Sequence, residues 1–343
     1  MKKLANVLYV TVPEAYLSLD GENVVIKKDE SVSMRLPLHN LENIVCFNYV
    51  GVSPALMGAC AERNVGLCFL TPNGRFLGRV TGKVKGNVLL RKKQYEISNS
   101  SDLSVPIAAS FLMGKVSNCR KVVERALRDH GMLLDSKTLG EASLALKETL
   151  TNISNCKTVG ELMAFEGFAA KIYFSVFDQL ILQQRDDFHF NERSRRPPMD
   201  NMNSLLSFFY VLLTNEVSSA LEGVGLDPYV GFLHQDRPGR PSLALDLMEE
   251  LRPVLADRLA LSLVNRKQIN GKGFTQKESG GILMDDETRK TVLTAWQERK
   301  KEEILHPYLK ERIPFGLIPH AQAMLLARTL RGDLDAYPPY FWS

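Results

Sequence analysis

The strongest restriction on what this chain can fold into is a change of apolar period near residue 100. Up to about residue 95, β-branched, aromatic and leucine residues come in short alternating runs; from Val105 onward they recur at three- and four-residue spacing. A period of two suits strands and a period of 3.6 suits helices, so two kinds of layer are required. Segments 7–10 and 16–19 read as strands, and the Asp20-Gly21 pair before Val24 marks a hairpin. A second hairpin is expected around Pro72, Asn73 and Gly74, joining 65–70 to 76–80, with one short helix over 54–62. Residues 1–97 are thus expected to form a small β domain, sandwich-like, with a single helical crossover. Farther on, Ile107, Phe111, Met113, Val116, Cys119, Val122, Val123 and Ala126 trace the buried stripe of a helix. The same period returns at 158–184, 202–222, 242–264, 285–304 and 319–331. The polar stretch at 98–104 is the expected linker, 131–138 and 184–200 the connecting loops, and 105–343 a larger, nearly all-helical domain. The predicted class is a two-domain α+β fold.

At 343 residues the chain is long enough for two cores. Its cysteines, Cys46, Cys60, Cys68, Cys119 and Cys156, are odd in number and form no CxxC pair, which speaks for a reduced setting and against a thiolate zinc site. No uninterrupted apolar run approaches membrane-spanning length. Lys2 and Lys3 precede an alternating stretch that stops at Pro13 without a cleavage signal, so a soluble cytoplasmic protein is expected. Charge is unevenly spread. Residues 1–95 hold 13 Lys+Arg against 7 Asp+Glu, a balance of +6, whereas the remainder balances to −2. Between Gly74 and Lys93 stand Arg75, Arg79, Lys83, Lys85, Arg91, Lys92 and Lys93 with no acid, either a phosphate-facing stripe or a solvated hairpin face.

Three places in the helical half put ionisable residues where the apolar pattern would exclude them. Glu166 lies among Leu162, Met163, Phe165, Phe168 and Ala169 in a stretch that should be buried; the alternative is a carboxylate on the wet face beside Glu161 and Lys171. His234 ends the apolar run Val230, Gly231, Phe232, Leu233 and opens a polar turn, where histidine ligates metals, shuttles protons or is merely structural. Third, Ser242 reads as the N-cap of a helix on which Asp246 and Glu249, three apart, are neighbours, while Leu243, Leu247 and Leu251 form another face. Pro253 cannot donate to the carbonyl of residue 249, so a kink is expected at the acidic pair. The two carboxylates need a positive partner, and Arg252 is the plain candidate. One histidine, one glutamate from another helix and an Asp/Glu pair make a plausible hard-metal site for Mg²⁺ or Mn²⁺. Arg193, Arg195 and Arg196 ahead of Pro197 and Pro198 are expected on an extended, exposed loop facing phosphate. No GxSxG elbow, phosphate-binding P-loop or dinucleotide fingerprint is present. His320 reads as part of a helix start, and the aromatic tail from Tyr337 to Trp342 as an apolar plug or interface patch.

The frame around Glu166, with Gly167, Ala170, Tyr173 and Phe174, resembles the CRISPR-associated adaptation integrases, the Cas-one family. So do His234 after Gly231, Phe232 and Leu233, and the Ser242, Leu243, Ala244, Leu245, Asp246, Leu247, Met248, Glu249 run. The block from Arg195 to Ser207, the runs Gly86 to Arg91 and Lys115 to Arg120, and the Arg331 to Leu334 ending carry the likeness across the whole chain; that ending is similar to the subtype I-C branch. The resemblance implies an N-terminal β domain and a helical domain carrying the metal site, with metal ligands Glu166, His234 and Glu249 and a second acidic position at Asp246. Asp often stands in the family where this chain has Glu249. It further implies a homodimer joined to the small Cas-two protein. It also implies an endonuclease and integrase that transfers the 3′-hydroxyl of a captured spacer duplex onto a phosphodiester at the CRISPR leader–repeat boundary. A non-catalytic DNA-binding scaffold and a metal-dependent hydrolase of a small phosphorylated substrate are the alternatives.

Overall fold

The computed structural model describes residues 6–28, 31–72, 74–82 and 88–342. Lys2, Lys3, Asn73, Lys83, Lys85, Gly86 and Asn87, all used in the sequence reading, lie outside the described residues. The chain divides into two compact units, 1–85 with 286–301 and 86–285 with 302–343.

In the first unit, β1 (Val7–Val10), β5 (Asn43–Cys46), β7 (Gly66–Leu70) and β8 (Phe76–Val80) form one sheet in the order β1-β5-β7-β8. A second sheet runs β4 (Ser31–Pro37), β3 (Asn23–Lys28), β2 (Tyr16–Asp20), β6 (Gly51–Val52). Both expected hairpins are present: β2 and β3 pair antiparallel about Gly21, and β7 pairs antiparallel with β8. The crossover helix is α1 (Pro54–Arg63), whose N-terminus is capped by Ser53, its Oγ accepting from Leu56 N at 3.2 Å. Leu17, Val24, Ile44, Leu56, Cys60 and Leu67, drawn from both sheets and α1, share one core cluster, which gives the sandwich its interior.

The second unit is helical: α2 (Val88–Ser98), α3 (Ser101–His130), α4 (Ser136–Ile153), α5 (Val159–Ser175), α6 (Asn201–Val224), α7 (Ser242–Glu249), α8 (Arg258–Asn265) and, beyond 302, α10 (Ile318–Arg331). Two small hairpins interrupt it, β9 (Phe274–Gln276) with β10 (Ile282–Met284) and β11 (Glu303–Leu305) with β12 (Arg312–Pro314). Helix α6 is long and apolar enough to cross a membrane by length and composition, yet 67% of that window is buried inside the protein, as in a core helix.

Four expectations need correction. The expected linker at 98–104 is a tight corner: only Asn99 and Ser100 separate α2 from α3, and Ser104 Oγ donates back to Ile97 O at 2.8 Å. Residues 88–98 are helical because Leu90, Gln94 and Ile97 recur at helical spacing and are all buried, so among the described basic residues Arg79 lies in β8 and Arg91, Lys92 and Lys93 lie in α2. Helix α4 covers part of the expected 131–138 loop, its first turn capped by the Asp135 carboxylate. Finally, α9 (Asp286–Lys301) belongs to the β-rich unit, where Trp296 is fully buried and Gln297 Nε2 donates to Val7 O at 3.0 Å.

Candidate active site

Helix α7 is buried nearly all round: Leu243, Ala244 and Leu247 are sealed from solvent, and so are Asp246 and Glu249. Ser242 is its first residue and not its N-cap; its Oγ donates to Gln235 O at 3.0 Å, and the next two N–H groups donate to Pro228 O. The expected kink is there. The α-helix stops at Glu249, and Arg252–Asp257 form a π-helical turn that contains Pro253.

A buried carboxylate survives only where donors surround it. Asp246 has four: Oδ2 accepts from the N–H groups of Phe232 (2.7 Å) and Leu233 (2.9 Å), and Oδ1 from His234 N (2.9 Å), with His234 Nδ1 2.6 Å away. The loop wraps this closely because residue 231 is glycine; a Cβ there would stand 2.8 Å from Asp246 Oδ2 and 2.9 Å from His234 O. Upstream, Gln94 fixes the same loop, donating to Asp227 O and Val230 O at 2.8 Å each and accepting from Asp227 N. With Asp246 Oδ1 as acceptor, the His234 ring carries its proton on Nδ1 and donates it to the carboxylate, which leaves Nε2 as the ring's electron-pair donor.

One α7 turn on, Glu249 pairs with Arg252 Nη1 at 2.7 Å through Oε1 and with Lys115 Nζ at 2.8 Å through Oε2. The same ammonium pairs with Glu166 Oε1, so two carboxylates from different helices converge on one cation. Helix α3 can bring Lys115 this close to the end of α7 because its neighbour is Gly114; a Cβ there would lie 2.8 Å from Glu250 Cβ. Burial pushes the Glu249 carboxyl up, but Arg252, Lys115 and His234 outweigh it and hold it down at about 2. Lys115 stays charged: burial lowers its pKa, and Glu249 and Glu166 more than restore it.

Glu166, His234 and Glu249 therefore gather around α7, whereas Asp246 stands behind His234 with its oxygens taken by the loop. Among the described residues no three His, Cys, Asp or Glu side chains form a ready metal-holding group. The α5 stretch around Glu166 is only half buried, with Phe168 53% exposed, contrary to expectation. Arg193 is corrected too. Its guanidinium donates to Asn203 Oδ1 (2.6 Å) and Ser207 Oγ (3.1 Å) and lies 5.1 Å from the Tyr210 ring centroid, while Arg195 and Arg196 are exposed as predicted. Arg252 takes the other place at Tyr210, 4.9 Å from the centroid. The sequence reading missed Lys115 as a site residue; the available signal was a lone lysine inside the apolar stripe of α3.

Two further buried carboxylates flank the site. Asp257 accepts from Tyr210 OH (2.7 Å) and Tyr173 OH (3.2 Å), and burial raises it to about 6. Glu250 accepts from Tyr337 OH (2.6 Å), Tyr340 N (2.7 Å) and Gln322 Nε2 (3.0 Å), and burial raises it to about 7. Tyr337, Tyr340 and Trp342 are buried, so the aromatic tail plugs this end of the helical unit. A folded-state pKa above the unfolded one means the native protein holds the extra proton between the two values, so these groups lose stabilising effect as pH rises from about 4 through 7. Glu250 alone is expected to cost about 2 kcal/mol between pH 5 and 7.5, Asp257 about 1. Chemical denaturation across this range should show wild type falling more steeply than Glu250→Gln and Asp257→Asn; parallel slopes would contradict it.

Against this geometry, comparison with known proteins is consistent along the whole chain. The family model described as "CRISPR associated protein Cas1" matches residues 8–298. The chain is 53% identical over 350 residues to "CRISPR-associated endonuclease Cas1 2" of Rhodospirillum rubrum, covering all of both chains. Its fold is shared with a casposase bound to integration product (TM-score 0.82, 20% identity, 98% of this chain and 94% of that one). It is shared also with a chain of a Cas6-RT-Cas1–Cas2 complex (TM-score 0.82, 22% identity, all of this chain and 36% of that one).

Proposed function

The chain belongs to the Cas1 family, and from that premise we propose that it is a divalent-metal-dependent DNA endonuclease and integrase of CRISPR adaptation. The observation that carries the reading is the convergence of Glu166 and Glu249 on a single cationic point, next to a histidine locked by a buried aspartate.

That donor set fits a hard ion. Two carboxylates and one imidazole nitrogen suit Mg²⁺ or Mn²⁺, and the buried Glu249 Oε2 has an ion-pair partner but no hydrogen bond of good geometry. Glu166, His234 Nε2 and Glu249 would hold the ion, which supplies Lewis-acid polarisation of a phosphodiester. Asp246 would keep the His234 ring turned and Nδ1 protonated, so that Nε2 is the atom that would take the ion. Arg252 keeps Glu249 ionised and aligned, and its place beside Tyr210 fixes its guanidinium. Arg195 and Arg196, exposed on the loop before α6, would bind the DNA backbone.

In the proposed reaction the 3′-oxygen of a captured spacer duplex bonds to phosphorus at the leader–repeat boundary, and the bond from phosphorus to the leaving 3′-oxygen breaks. The attacking hydroxyl gives up its proton and the leaving oxygen gains one, so bonds are exchanged in kind and positioning sets the direction. Water in place of the hydroxyl gives cleavage. A homodimer with the small Cas-two partner is the proposed working assembly, supported by family membership. The test is joining of a short duplex into a CRISPR target, with the partner present, under EDTA, Mg²⁺ or Mn²⁺. Product is expected with either metal and none with EDTA. DNA binding without joining or cutting under any metal would favour a scaffold.

A further inference from the structure

Lys115 is 8% exposed at its side chain, with Glu166 on one side of its ammonium and Glu249, 1% exposed, on the other. Arg252 pairs with the other oxygen of Glu249, so Lys115 is the cation in contact with both carboxylates. Two carboxylates this close repel unless a positive charge stands between them, and the lysine is what supplies it. A divalent ion held by the same two carboxylates would need the same point, and two cations a few ångströms apart repel each other strongly in a dry site.

We infer that Lys115 is a placeholder cation: it holds Glu166 and Glu249 together in the metal-free protein and is exchanged for the metal when the site loads. The inference rests on the metal reading above and adds to it that loading is a competition within the chain. A lysine suits this role, since its charge is compact and rides on a flexible four-carbon stem that lets the ammonium swing away while the helix stays in place. Built into α3, it keeps a buried pair of carboxylates ionised and spaced for a metal. It also weakens the apparent metal affinity, because the binding-competent arrangement first requires the ammonium to leave.

The experiment uses the full chain and Mn²⁺ alone. Free Mn²⁺ is titrated by electron paramagnetic resonance with wild type and Lys115→Met, and thermal midpoints are recorded with and without the metal. Lys115→Met is expected to bind Mn²⁺ about tenfold more tightly or better, to melt lower than wild type without metal, and to gain more from its addition. In wild type, lysine acetylation read by mass spectrometry should accelerate at Lys115 when Mn²⁺ is added while exposed lysines are unchanged; this arm decides the matter if Lys115→Met fails to fold. Manganese that binds with equal affinity to both proteins and leaves Lys115 labelling unchanged overturns the exchange while leaving the metal site standing. No binding to either folded protein overturns the metal reading itself and this inference with it.

Discussion

Glu166→Gln and His234→Ala proteins are expected to fold, to bind DNA within a few-fold of wild type, and to join strands about 10²–10³-fold more slowly. Their folding should survive because each change leaves its neighbours partnered. Without the Glu166 charge, Lys115 keeps Glu249 at 2.8 Å; without the imidazole, Asp246 keeps its three backbone donors. Neither residue belongs to the exposed arginine loop, so the salt-dependent part of DNA affinity should be untouched. What is lost is one donor to the ion. Single-turnover joining, with binding followed by fluorescence anisotropy, separates the two effects. Variants that bind and still join within tenfold of wild type would show that the chemistry lies elsewhere.

The change of period gave away the two layers, and Pro253 gave away the break after Glu249, because both are local properties of the chain. Arg252 was legible as the partner of Glu249 for the same reason, being only three residues farther along the chain. The rest depended on contacts distant in sequence. Lys115 lies 51 residues from Glu166 and more than 130 from Glu249, and nothing local says that a lysine in an apolar stripe is neutralised from two other helices. Arg193 and Arg195 look alike in sequence, yet one is drawn under α6 by Asn203 and Ser207 while the other stays outside. Asp246 and Glu249 share a helix and three-residue spacing, but the 231–234 loop encloses only the first, so one carboxylate orients a ring and the other faces the cation. Helix α9 joins the β-rich unit through Trp296 and Gln297, a return of the chain that periodicity cannot register.

That division of labour makes Asp246 the residue whose loss should cost the most stability. In Asp246→Ala, three backbone N–H groups and the His234 Nδ1–H lose their acceptor inside a fully buried helix face. The expected penalty is about 3–5 kcal/mol, measured by equilibrium denaturation. Asp246→Asn keeps the shape but offers one acceptor oxygen where four donors converge. If that oxygen serves Phe232 and Leu233, the new amide group points its own hydrogens at His234 N–H and Nδ1. The ring then relieves the clash by carrying its proton on Nε2, the atom needed for the metal. Joining by the Asn protein should therefore fall about 10–100-fold, with Mn²⁺ affinity falling alongside it. A stability cost equal to that of the alanine change, with metal affinity and joining intact, would mean Asp246 only braces the loop. Loss of affinity in a protein that still denatures close to wild type would instead identify the aspartate as the group that sets the tautomer of His234.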